Sequence, residues 1–483
     1  MRVAATVGAT ASSSRHRHSS RRSRTGNTKA ASGDVAGSGR IPQRRRPARA
    51  FTGKDSPTRK RRTIPVGAPS GATAFPNRSS VRSRLKPLLQ DMTPEPPALR
   101  WRPRRRHAPA GAKPRMTASV ADLIGQYDPS LPLAEASTPP AAWYIDPRIA
   151  ELERRTVFAR TWQFAGRLDQ LRAPGDYVTC EIAGEPILVV RGGDGVLRGF
   201  FNVCRHHAAA VMTQPQGCAK NLRCPYHGWT YTLEGALKGT PSFVDECHFD
   251  RGAHGLVPVD IATWEQWVFV RLDREGPTLE EFLGERVIAE VKALRLDRLH
   301  WFARQHYLFD CNWKVFVDNY LDGGYHVPHL HKGLNSVLDF RQYTIENGRH
   351  HCLQSAPMVQ GEIEEFASVR GGARANYYWF HPNFMFNWYE GMMDTNLVLP
   401  LGVDRTEVIF DFWFEDVSDA ARERNEASIA VGNIVQDEDM AICKSVQRGL
   451  QSRAYDTGRL SIRREAGEHL FHLLLHADLS GGL

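Results

Sequence analysis

No run of about 18 apolar residues occurs in this sequence, so no membrane-spanning helix is expected. A cysteine framework is missing too. The 8 Cys of the 483-residue chain are scattered, which suits a reducing compartment better than a disulfide-stapled fold. Acidic residues are nearly absent from one region. Residues 1–115 hold 28 Lys+Arg against 4 Asp+Glu (Asp34, Asp55, Asp91, Glu95), whereas the remainder holds 35 and 49. The formal charge of +10 and the pI near 9.3 therefore describe a basic leader ahead of a mildly acidic body, and a nucleic-acid function read from whole-chain pI loses its basis.

The leader also lacks apolar periodicity. Such a segment cannot offset its chain entropy by burial and is expected to be disordered. Arg-rich, Ser-rich and acid-poor is the composition of an organellar transit peptide, which would send the protein to the chloroplast stroma; without it the expectation is cytoplasmic. Two other readings compete: an over-extended translation start, with Met92 or Met116 as the first residue, and a basic nucleic-acid-binding arm.

Residues 116–160 read as a leader with short helices. Strand signals follow at 177–182, 186–191 and 197–203, separated by Gly184 and by the turn Gly192-Gly193-Asp194-Gly195, and again at 259–263 and 267–272. This predicts an all-β domain over 161–275. Beyond it, 301–310 alternates like a strand and 313–325 has helical spacing, opening a second domain over 276–483.

The first domain carries Cys204-Arg205-His206, then seventeen residues, then Cys224-Pro225-Tyr226-His227 before Gly228-Trp229. Each arm offers one thiolate and one imidazole on a tight loop. Such arms can hold a zinc, or a 2Fe–2S cluster with Cys on one iron and His on the other, as in Rieske centres. His207, next to His206, is expected to point away.

The second domain carries NYLDGGYHVPHLHK over 319–332. Its Asp322, His326, His329 and His331 are the donor types of a two-His, one-carboxylate site for non-haem Fe(II). On an ideal helix His326 and His331 would sit about 140° apart, while His326 and His329 share a side. Pro328 favours the first pair if it distorts the helix at Val327. Farther on, Asp437, Glu438 and Asp439 form an acidic cluster that also suits the first turn of a helix.

These motifs, in this order and about a hundred residues apart, resemble the α subunit of a Rieske non-haem iron oxygenase. The stretches DNYLDGGYHVPHLHKGL (318–334), PNFMFNWYEGMMDTNLVLPLG (382–402), QDEDMAICKSVQRGL (436–450) and EHLFHLLLH (468–476) resemble its choline monooxygenase branch. The resemblance implies an α+β chain: an all-β Rieske domain followed by a catalytic domain whose curved antiparallel sheet packs on helices in helix-grip fashion. It implies Cys204, His206, Cys224 and His227 as 2Fe–2S ligands. His326, His331 and Asp439 are implied as ligands of a mononuclear Fe(II), with Asp437 and Glu438 close beside the last.

Asp322 is implied to link a cluster histidine of one subunit to an iron histidine of the next. Many members carry that carboxylate three residues before the first His, where this chain has Gly323; Asn319 is a lesser candidate. A homotrimer and a ferredoxin or ferredoxin-like reductase as donor follow from the same resemblance; the donor is expected to dock beside Arg205, Lys220 and Arg223. The implied reaction is O2-dependent hydroxylation of choline to betaine aldehyde hydrate, a step of glycine betaine synthesis. An aromatic-ring hydroxylase and a betaine- or carnitine-type N-demethylase are the alternatives within the family.

Eight aromatics fall between Tyr377 and Tyr389: Tyr377, Tyr378, Trp379, Phe380, Phe384, Phe386, Trp388 and Tyr389. Strand packing explains most of them. A quaternary ammonium has no N–H to donate and is held over aromatic faces, so a few of these rings are expected around the iron, with Glu390 or Asp394 adding charge.

Overall fold

The structure, a computed structural model, describes residues 118–483. The expectations for the basic leader lie outside the described residues. No helix among them is long and apolar enough to cross a membrane.

The all-β part is built on a seven-stranded antiparallel sheet running from Gln163–Arg167 at one edge, through Trp267–Arg271 and Pro258–Trp264, to Asp176–Ile182 and the short edge Gln216–Cys218. A three-stranded sheet, Leu222–Arg223, Thr230–Tyr231 and Leu237–Gly239, shares a core around Trp229 and Tyr231 with Tyr177, Leu188, Val190 and Phe200 of the larger sheet. Pro147–Glu153 is α-helical and Arg154–Phe158 continues as a π-turn, after which Gln163–Arg167 is strand.

The second part is a curled seven-stranded antiparallel sheet. Its spatial order is His300–Phe309, Thr406–Phe414, Met392–Pro400, Phe384–Tyr389, Arg374–Phe380, His351–Pro357, Thr344–Asn347. Side chains alternate between the two faces of each strand, and the faces have different partners. Tyr378, Phe380, Phe384, Phe386 and Trp413 pack on Trp162, Phe164, Trp264, Trp267 and Phe269 of the all-β part; the Phe164 and Phe384 rings stack at 5.4 Å. The opposite face packs on the helices Trp313–Leu321, Arg422–Leu450 and Ala466–Ser480. The two parts are also joined by charge. Asp411, buried on the sheet, accepts from both Nε and Nη2 of Arg304 at 2.9 and 2.6 Å and from Trp301 Nε1 at 2.8 Å, with Arg167 of the all-β part at 3.7 Å.

The helix Trp313–Leu321 is central. Asn312 caps its start. Its Lys314 is fully buried and pairs with Glu153 at 2.5 Å, while Trp313 Nε1 donates to the same carboxylate at 2.9 Å. Burial depresses the Lys314 pKa, and Glu153 opposes that. Asp318 accepts from Tyr144 Oη at 2.7 Å and lies 3.0 Å from His472 Nε2 on the C-terminal helix. The tail motif EHLFHLLLH is thus spent on docking that helix. The helical spacing read over 313–325 stops at Leu321, because Gly323 and Gly324 take φ of +67° and +66°, a region open mainly to glycine.

Candidate functional site

After the two left-handed glycines the chain makes a single helical turn, Val327–Leu330. Pro328 does not break it. It sits in the first turn, where its missing N–H costs nothing, and Val327 stays helical. His331 leaves the helix instead, at φ −102° and ψ 72°. That departure brings its ring back beside His326, centroids 4.8 Å apart, while His329 is exposed.

Asp439 comes from the middle of Arg422–Leu450. Gln436, Asp439, Cys443, Gln447 and Leu450 form the buried stripe of this helix at spacings of three and four. Asp439 is therefore not a carboxylate in the first turn of a helix. It faces inward, 5 % exposed. His331 Nε2 is 3.1 Å and His326 Nε2 3.9 Å from Asp439 Oδ1, and the three donor atoms all lie within 4.8 Å of one another.

Each imidazole is held from behind. Asp322 Oδ2 sits 2.6 Å from His326 Nδ1, and Glu438 Oε2 sits 2.7 Å from His331 Nδ1. Histidine ligands to metals usually give their second nitrogen to a carboxylate or carbonyl in this way, which fixes tautomer and ring direction. Burial works against a charged His331, but Asp439 and Glu438 outweigh it and raise the ring's pKa. Three carboxylates and two imidazoles converge here with no Lys or Arg lining the adjoining cavity. A divalent cation fits that donor set.

In the all-β part, two loops with the same hydrogen bonds face each other. Cys204 N–H donates to Ala209 O at 2.9 Å and Ala208 N–H to Cys204 O at 3.0 Å; Cys224 N–H donates to Trp229 O at 2.9 Å and Gly228 N–H to Cys224 O at 3.1 Å. Ala208 and Gly228 both have positive φ. Each loop thus buries a free thiol and presents an imidazole: Cys204 and Cys224 are buried, and the His206 and His227 rings are 4.7 Å apart. His206 stacks on Trp229 at 4.6 Å, and its Nδ1 is buried without a partner. That orphaned nitrogen and the two free, buried thiols fit a Rieske cluster. His207 does not turn away as expected. Its ring is 4.0 Å from His206, at the exposed edge.

A cavity of about 100 Å³ adjoins the His326, His331 and Asp439 side chains. The expected cage is largely elsewhere. Of the eight clustered aromatics only Tyr377 lines this cavity. Strand alternation sends Tyr378, Phe380, Phe384 and Phe386 to the face that packs on the all-β part. Glu390 is exposed at the turn. Asp394 is buried and does not line the cavity. The rings at the cavity are Phe316, Tyr320, Tyr343 and Tyr377. Tyr320 and Tyr343 were not singled out from the sequence; Tyr320 shares the central helix with Asp322's approach, which is the one hint available.

Five carboxamides complete the wall, and each has its NH2 against a protein acceptor. Asn319 donates to Asp439 Oδ1 at 2.8 Å, Gln354 to Tyr320 O at 2.7 Å, Asn387 and Asn396 to Asp394 Oδ2 at 2.7 and 3.0 Å, and Gln436 to Asp439 Oδ2 at 3.4 Å. The three phenols are occupied as well: Tyr320 Oη donates to Asn387 Oδ1, Tyr343 Oη to Gln354 Oε1, and the Tyr377 and Tyr389 hydroxyls pair. Burial raises all three phenol pKa values, so they stay neutral. Gln436 Oε1 is buried without a partner. The cavity therefore offers ring faces and acceptor oxygens.

The chain matches the family described as the Rieske [2Fe-2S] domain over residues 161–258 and that described as the ring hydroxylating alpha subunit (catalytic domain) over 296–479. It is 37% identical to the chloroplastic choline monooxygenase of Arabidopsis thaliana over 370 residues, 74% of this chain and 87% of that one. It is 33% identical to the carnitine monooxygenase oxygenase subunit of Escherichia coli (strain K12) over 333 residues, 66% of this chain and 86% of that one. Among solved structures, a quaternary ammonium Rieske monooxygenase in complex with L-carnitine superposes with a TM-score of 0.63 at 26% identity, over 75% of this chain and 98% of that one. Another solved structure, with a TM-score of 0.66 at 26% identity, is described as that of a quaternary ammonium Rieske monooxygenase that reveals insights into carnitine oxidation by gut microbiota and inter-subunit electron transfer. Naphthalene 1,2-dioxygenase from a Rhodococcus species, at 22% identity, a TM-score of 0.60 and coverage of 71% and 94%, shares the fold.

Proposed function

Because the chain belongs to the Rieske non-haem iron oxygenases, we propose that it is a choline monooxygenase, converting choline, O2, two electrons and two protons into betaine aldehyde hydrate and water. Cys204, His206, Cys224 and His227 hold the 2Fe–2S cluster; His326, His331 and Asp439 hold the mononuclear iron. When bound, the cluster stores and passes single electrons and the lone iron activates O2.

The residues of this chain do the rest. Asp322 and Glu438 keep the Nδ1 atoms of His326 and His331 occupied, so that both Nε2 atoms face Asp439. Asn319 holds Asp439 Oδ1. Tyr320, Tyr343, Tyr377 and Phe316 present faces to a trimethylammonium group at about 0.5–2 kcal/mol per contact. The cavity is small against the ~300–1,000 Å³ of drug-sized sites, which disfavours fused-ring substrates. The observation that carries the substrate is the wall itself. It has no Lys or Arg, and its amides and phenols are already bonded within the protein. A carnitine or betaine carboxylate would find no Lys or Arg there, whereas choline has no carboxylate to pair.

Reduced ferredoxin is the proposed donor. It docks beside Arg205, Lys220 and Arg223, all exposed around the cluster loops. A homotrimer, with Asp322 carrying the link from a neighbouring cluster to His326, completes the electron path. A chloroplast location rests on the basic, acid-poor leader and on the chloroplastic names of the plant relatives. The test is anaerobic reconstitution followed by single-turnover O2 consumption with choline, betaine, carnitine and benzoate. Betaine aldehyde from choline supports the reading. Formaldehyde from betaine or carnitine would move the protein to the N-demethylase alternative, and peroxide with all four would remove the substrate assignment.

A further inference from the structure

Beside two residues of the cavity wall lies a carboxylate that the reading above leaves without a task. Asp394 is directly opposite Asn387 in the antiparallel pairing and two residues before Asn396, so the three share a sheet face. It is 5 % exposed. Its Oδ2 accepts from both asparagine NH2 groups. Asn387 and Asn396 line the cavity and Asp394 does not. An ionised carboxylate only accepts and a carboxamide donates only through nitrogen. Asp394 thus fixes both amides with NH2 toward itself, and Asn387 Oδ1 is left to receive Tyr320 Oη at 2.8 Å.

No salt bridge to Asp394 exists among the described residues. Arg370 influences it through space but is engaged by Ser428 and lies over the Tyr389 ring at 5.0 Å. Burial raises the Asp394 pKa, with Arg370 and the two asparagines opposing. A buried carboxylate without an ion-pair partner is costly, and a cation taken up next to it offsets that cost.

We propose that Asp394 is a positioning residue that makes this cavity select a permanently cationic substrate, through its own charge and through its hold on the Asn387 and Asn396 amides. This rests on the cavity being the substrate site of the proposed oxygenase. It does not require that the cation be choline.

The test uses the anaerobic holoenzyme and two probes of one shape: choline, and 3,3-dimethylbutan-1-ol, in which carbon replaces the charged nitrogen. Calorimetric binding reads their affinity ratio, and turnover of choline is measured separately. The wild type should prefer choline. Asp394→Asn should weaken choline binding by about 10- to 100-fold, leave the neutral probe within about 3-fold, and raise KM far more than it lowers kcat, with the cluster's visible spectrum intact. The double variant Asp394→Asn with Asn387→Asp returns the charge to the same pair of strands and should recover most of the preference; it also serves if the single variant folds poorly. Equal weakening of both probes would mean a merely structural role and overturns the proposal, as does a wild type that does not favour the cation. Tight cation binding without betaine aldehyde would leave this inference standing and remove choline oxidation.

Discussion

Three acidic residues in a row, Asp437, Glu438 and Asp439, compete on paper for one iron, and their geometry gives them different work that mutation can separate. Glu438 Oε2 is 2.7 Å from His331 Nδ1, whereas Asp439 Oδ1 is 3.1 Å from the Nε2 of the same ring. One carboxylate therefore orients the imidazole and the other sits where a shared metal would be. Loss of an orienting carboxylate typically costs 10- to 100-fold in metal affinity, which is about 1.4–2.7 kcal/mol at 1.36 kcal/mol per decade.

Glu438→Ala should therefore weaken Fe(II) binding by about 10- to 100-fold. Glu438→Gln keeps an acceptor oxygen for His331 Nδ1, so its loss should stay within about 10-fold. Asp439→Ala should leave the mononuclear site empty under conditions that fill the Glu438→Gln protein. Chelator competition on anaerobic, cluster-loaded protein measures the affinities, and the unchanged visible spectrum confirms that the cluster domain is unaffected. If Glu438→Ala empties the site as fully as Asp439→Ala, or if Asp439→Ala retains iron, the assignment of roles is wrong.

Three further outcomes are expected. His331→Ala should keep the cluster's visible spectrum and lose product formation; loss of the spectrum as well would mean that the two sites are not independent. Asp322→Ala should uncouple electron transfer from product formation, and moving the acidic side chain to position 323, by Asp322→Ala with Gly323→Asp, should not restore it. A Cβ at Gly323 would stand 2.1 Å from Arg464 O, and the residue has φ +67°, so the double variant should be less stable than Asp322→Ala alone in urea; restored coupling of electron transfer to product would contradict this. His351 is held down to about 4 by burial, against about 6.5 in the unfolded chain. The unfolded state then binds the extra proton, so the contribution is full above about pH 6.5 and is lost as pH falls toward 4, by about 3 kcal/mol at most. Urea titrations at several pH values should show a shallower acid limb for His351→Leu, and an unchanged slope would refute the argument.

Chemistry that depends on residue type and close spacing could be read directly from the chain. Cys204, His206, Cys224 and His227 lie on loops too short to adopt many arrangements, and the strand and helix periods around them located the elements. The parity of the aromatic strands was also there to be read: Tyr377, Asn387 and Tyr389 fall on one face, Tyr378, Phe380, Phe384 and Phe386 on the other. Which face meets the iron and which meets the all-β part was not, because the period of two is the same whichever way a sheet is turned. His331 returns beside His326 only through a non-helical backbone at one residue, and helix geometry argued for a different pair. Asp439 is more than a hundred residues away, in the buried stripe of a long helix, and its role depends on where that helix packs. The same holds for Tyr320, Tyr343 and the asparagines tied to Asp394. Local sequence sets which donors exist and how the chain bends near them; the packing of distant elements decides which of them share one cavity.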